Sequence, residues 1–128
     1  MDYLARRWCF VAVTFVFGQV LARGQSFVYT AGTVAANSAG IYAYTLNEST
    51  GALTPIPGSP FPETLPLWVA GDPSGRFLYV TEFTDPTGAV SGYRIDPDTG
   101  NLTPVPGSPF FIGTIIHHVS VHPAGRFL

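Results

Sequence analysis

The stretch IYAYTLNESTGALTPIPGSPF, residues 41–61, returns 49 residues later as VSGYRIDPDTGNLTPVPGSPF, residues 90–110, with eleven of the 21 positions identical. A second match, at an offset of 50, sets GDPSGRFLYV (71–80) against VHPAGRFL (121–128). By the same offset Phe27-Val28-Tyr29 falls on Phe77-Leu78-Tyr79. The two offsets differ by single-residue changes in two loops. Self-similarity with a period of about 20–50 residues marks solenoids, propellers and arrays, in which each repeat is one supersecondary unit.

Within one period the residues read as four short strands. Leu67–Gly71 is apolar, Arg76–Glu82 is rich in aromatic and β-branched residues, Val90–Ile95 alternates, and Leu102–Val105 is short and stopped by proline. The connections carry turn chemistry. Asp72-Pro73-Ser74-Gly75 and His122-Pro123-Ala124-Gly125 have proline second and glycine fourth, as a type I turn prefers. Asn47–Gly51 and Asp96–Gly100 each begin with a side chain that bonds its own backbone and end with a glycine free to take positive φ. Four antiparallel strands in about 50 residues make a β-propeller blade. Pro55, Pro57, Pro104 and Pro106 then blunt the outer edge, because proline has no N–H to give a ladder.

Composition agrees with an all-β chain. Of 128 residues, 46% are hydrophobic and 11% charged, and the 14 glycines and 12 prolines argue for short strands and tight turns over long helices. Arg6 and Arg7 precede an apolar run from Trp8 to Leu21, too short for the roughly 20 residues of a membrane span. With small residues at Ala22 and Gly24, it reads as a helical signal peptide over residues 1–24, cut before Gln25. Cys9, the single cysteine, leaves with it, so the mature chain has no disulfide or cysteine-based metal site. The remaining charges, Arg76, Arg94 and Arg126 against seven carboxylates, leave the mature segment acidic. Nucleic acid and anionic membranes are therefore not expected as partners.

The run Pro73-Ser74-Gly75-Arg76-Phe77-Leu78-Tyr79-Val80, followed by Thr99-Gly100-Asn101-Leu102-Thr103-Pro104-Val105-Pro106-Gly107-Ser108-Pro109-Phe110, resembles the repeat of the seven-bladed lactonase-type propellers, the 6-phosphogluconolactonase-like and YVTN-repeat proteins. The resemblance implies a partial propeller over residues 25–128: a first blade lacking its first strand, a complete blade over 67–105, and the start of a third. A ring needs more blades than these. The sequence is accordingly read as the N-terminal part of a longer protein, the remaining blades being its partners in the ring. Residues such as Phe77, Tyr79, Ile95 and Leu102 are expected to pack blade on blade.

Three residues are candidates for chemistry. His117 and His118 lie in Ile115–Val121, the innermost-strand position, and the resemblance implies a channel-facing histidine at His118. Neighbours on a strand face opposite ways, so the pair does not make a metal site by itself. Glu82, at the end of its strand, is a carboxylate able to activate water against a lactone carbonyl or to orient the imidazole of His118. The other reading of Glu82 is a hairpin-end charge in water. His122 is a turn residue, because Asp72 fills its place in the sister repeat. Asp96-Pro97-Asp98 has part of a calcium-loop spacing that its sister turn lacks. No cofactor or metal is expected. Two functions follow from the resemblance: hydrolysis of a lactone bound in the central channel, or ligand binding and scaffolding without turnover, in the periplasm or outside the cell. Export separates the chain from 6-phosphogluconolactone, a cytosolic metabolite.

Overall fold

The computed structural model describes residues 12–14, 25–33, 39–84, 87–114, 116–126 and 128. Every regular element among them is a strand, arranged as two antiparallel sheets. The first contains β1 (Ala12–Thr14), β2 (Ser26–Thr33), β3 (Ala39–Leu46), β4 (Leu53–Pro55) and β5 (Phe61–Pro62). The second contains β6 (Pro66–Gly71), β7 (Phe77–Thr84), β8 (Thr87–Ile95), β9 (Leu102–Pro104) and β10 (Phe110–Phe111). Each sheet is a meander in which β1 and β6, β2 and β7, and β3 and β8 hold equivalent places.

The fourth position of each sheet is one strand broken in two. β9 pairs with Tyr93–Ile95 and β10 with Ala89 and Val90, both on β8, and β4 and β5 pair with β3 in the same manner. The proline-rich stretch between the halves loops out, with cis peptides at Ser59–Pro60 and Ser108–Pro109 and positive φ at Gly58 and Gly107. The loop still satisfies the strand it leaves. Val105 N donates to Gly92 O at 2.9 Å, and Gly92 N donates to Ser108 Oγ at 3.0 Å, so a serine hydroxyl stands in for the missing carbonyl. The first sheet repeats both bonds, Ile56 N to Ala43 O at 3.1 Å and Ala43 N to Ser59 Oγ at 2.9 Å.

The turns follow their sequence chemistry. Gly75 N donates to Asp72 O at 2.8 Å and Gly125 N to His122 O at 2.7 Å, closing the two β-turns. Asn47 Oδ1 accepts from Ser49 N and Thr50 N at 3.1 Å each, and Asp96 Oδ1 accepts from Asp98 N and Thr99 N at 2.9 Å each. Those backbone donors hold the exposed Asp96 carboxyl below the usual carboxylate range.

The two sheets bury one core between them. Tyr29, Ala31, Ile41, Ala43 and Ile56 of the first meet Val69, Leu78, Val80, Tyr93 and Ile95 of the second. Each large apolar side chain fully buried there contributes about 1.5–3 kcal/mol. Tyr29 OH also crosses the interface to donate to Gly100 O at 2.7 Å. Gly100, at φ +74°, must be glycine: a Cβ would lie 2.6 Å from the Phe27 ring.

The residues expected to pack blade on blade are divided between the two faces of the second sheet. Ile95 and Leu102 join this core, whereas Phe77 and Tyr79 alternate with Leu78 and Val80 and face away from it. There Phe77 and Tyr79 line a second cavity of about 270 Å³ with Val121, Arg126 and Leu128 of the third unit. One expectation is corrected. Residues 116–122 form no strand among the described residues, and no described strand pairs with them. Within the expected signal segment, β1 lies along Tyr29–Ala31 in the place of the first blade's first strand. The rest of that segment, residues 1–11 and 15–24, lies outside the described residues.

Candidate active site

β7 does not stop at Glu82. Its ladder with β8 runs on to Thr84, which pairs with Thr87, so Glu82 lies inside the strand and is only 4% exposed. Leu78, Val80 and Glu82 share a face by strand alternation, and the row that begins in the apolar core ends in a carboxyl group. A hairpin-end charge in water is thus not what the structure has. Opposite Val80 in the ladder stands Ser91, whose Oγ donates to Glu82 Oε1 at 2.6 Å.

The connection from β5 to β6 brings in a second carboxyl, Glu63. Tyr93 OH donates to Glu63 Oε2, and Glu63 neighbours Glu82. Two residues on, Leu65 has φ +42°, a left-handed backbone that costs a non-glycine residue on the order of 1–3 kcal/mol. Phe83 N, donating to Leu65 O at 3.1 Å, fastens this strained corner to β7.

Burial is the main reason that the Glu82 carboxyl is pushed above its ordinary range. The Ser91 hydrogen bond works against that rise, and Glu63 adds to it. The Tyr93 phenol is pushed up too, by burial first and then by Glu63. Of the two carboxyl groups, Glu82 is thus the one whose protonated form is favoured. Both open on a cavity of about 390 Å³ between the two sheets, lined by Glu63, Thr64, Glu82, Ser91, Tyr93 and Ser108 among others. None of the described residues lining it is basic. A carboxylate beside a carboxylic acid, with two hydroxyl groups, can take a proton from water and give one to a leaving oxygen.

The histidines lie elsewhere. His118 is exposed, and its ring lies 4.6 Å, centroid to centroid, from that of Trp68, tilted by 46°. Trp68 pairs with Thr81, the neighbour of Glu82, so Trp68 and His118 lie on the opposite face of the second sheet from the carboxyl pair. The structure therefore does not bring His118 and Glu82 into one site. His117 is exposed on the same segment. His122 Nδ1 accepts from Ala124 N at 3.1 Å, which is a turn role. Among the described residues no three His, Cys, Asp or Glu side chains gather as metal ligands would.

Sequence reading missed Glu63, Ser91 and Tyr93. One trace of them was present: Glu63 stands where the repeat, 49 residues on, has Ile112, so its charge is not something the blade itself requires.

Meandering sheets with a split outer strand, packed face to face at a repeat of about 50 residues, are propeller blades. Residues 27–128 match the family described as Lactonase, 7-bladed beta-propeller, and the chain belongs to that family. No curated protein and no solved structure matches the chain.

Proposed function

We propose that this chain forms two adjacent blades of an exported lactonase-type propeller that hydrolyses a small, uncharged lactone between them. The observation that carries the reading is the buried Glu82 carboxyl, held by Ser91 and neighboured by Glu63 at a cavity of about 390 Å³. In the singly protonated pair, the carboxylate takes a proton from water as its oxygen attacks the lactone carbonyl carbon. The ring C–O bond then breaks, and the leaving alkoxide takes the proton held by the other carboxyl, giving a hydroxy acid. Ser91 and Tyr93 orient the two carboxyls. A phosphorylated lactone does not suit this acidic lining, in keeping with the exported location, periplasmic or outside the cell. No cofactor enters the reaction, and the remaining blades of the ring are partners of this chain.

Glu82→Gln keeps the shape and the Ser91 hydrogen bond while removing the titrating group. In the full-length protein it should lower kcat/KM on uncharged γ- or δ-lactones, followed by pH-stat, by about 100-fold or more, the usual loss on removing a general acid or base. His118→Ala should stay close to the parent. Equal rates for Glu82→Gln and the parent would reject the carboxyl mechanism.

One observation favours the non-catalytic reading: the Trp68–His118 ring pair offers a stacking surface. A parent that binds a lactone without turnover, with binding lost in His118→Ala, would establish that reading instead.

A further inference from the structure

We infer that Asn47 is the acceptor of an N-linked glycan. The inference rests on the proposed export, since the transferase acts in a secretory compartment. Asn47-Glu48-Ser49 has the Asn-x-Ser spacing of an acceptor, and so does Asn101-Leu102-Thr103. The structure treats the two differently.

Asn47, Glu48, Ser49 and Thr50 are all exposed. Ser49 Oγ donates to Asn47 Oδ1 at 2.7 Å, and Ser49 N and Thr50 N donate to the same oxygen. Drawing on the oxygen makes the amide N–H more acidic and leaves Nδ2 as the group that reacts. In the transfer, Nδ2 attacks C1 of a lipid-linked oligosaccharyl diphosphate. The N–C1 bond forms as the C1–O bond to phosphate breaks, the diphosphate leaves with the electron pair, and the amide proton passes to a base on the transferase. The product keeps Oδ1, so the turn keeps its cap.

Asn101 is placed differently. Its Oδ1 is buried without a hydrogen-bond partner, Leu102 packs on the core, and the preceding Gly100 is covered by Phe27 and Tyr29 of the first blade. The sister turn also shows that Asn47 stays open within a ring. Asp96, which corresponds to Asn47 at the offset of 49, is exposed even though a neighbouring blade covers Gly100.

The same comparison supplies the test variant. Asp96 makes the Asn47 contacts in its own turn, so Asn47→Asp should fold as the parent while having no amide to modify. The chain, with its own leader and separately with an established secretory leader, would be expressed in eukaryotic cells. Its mass would be compared before and after treatment with a peptide N-glycosidase. We expect one glycan on the parent and on Asn101→Gln, and none on Asn47→Asp or Ser49→Ala. An unmodified parent behind the established leader, or a glycan that survives Asn47→Asp, would overturn the inference. Modification behind the established leader alone would support the Asn47 site and reject export by residues 1–24.

Discussion

Burial and the neighbouring Glu63 both favour the protonated form of Glu82, so the folded chain holds that proton more tightly than the unfolded chain does. Stability from this group is complete below the ordinary glutamate value of about 4.3 and is lost as pH rises through the raised value in the fold. Glutamine mimics the protonated carboxyl at every pH. Melting temperatures of the parent and Glu82→Gln should therefore meet near about pH 4 and separate toward pH 8, with the parent the less stable. A parent that stays level with, or above, the variant across that range would show that the carboxyl is not strained. Glu82 stood out in the sequence, but its burial did not. Burial follows from the β7–β8 ladder reaching Thr84 and from Glu63 arriving on a separate connection, and neither register nor that approach is written in local sequence.

At the scale of the element, the outer strand of each blade shows how a repeat tolerates prolines. Its two halves pair with one neighbour, and a serine hydroxyl fills the gap in the ladder. Gly92 is buried, so Ser108→Ala would leave its N–H without an acceptor, at a cost of about 1–3 kcal/mol. Urea unfolding of the parent and Ser108→Ala measures that difference; a change below a few tenths of a kcal/mol would mean the hydroxyl contributes nothing. The edge role of the prolines was legible, because proline cannot donate to a ladder. The returning halves were not. Phe61–Pro62 and Phe110–Phe111 are two residues each, and only pairing with β3 and β8 makes them strands.

For the whole molecule, the repeat offsets and turn residues were sufficient to read a propeller, since every blade needs the same turns and the same buried face. The site was only half legible because it belongs to no single repeat. It forms where the β5–β6 connection meets the face of the second blade, while His118, singled out in the sequence, lies on the other face. The central claim is that a carboxylate and a carboxylic acid divide the work of opening a lactone. The most direct test is the pH dependence of kcat/KM for an uncharged lactone in the full-length parent, Glu63→Gln and His118→Ala. That division predicts a bell-shaped profile, active only while one carboxyl is protonated; Glu63→Gln should lose one limb, and His118→Ala should keep both. A profile unchanged by Glu63→Gln but abolished by His118→Ala would place the chemistry on the other face of the blade and contradict the account.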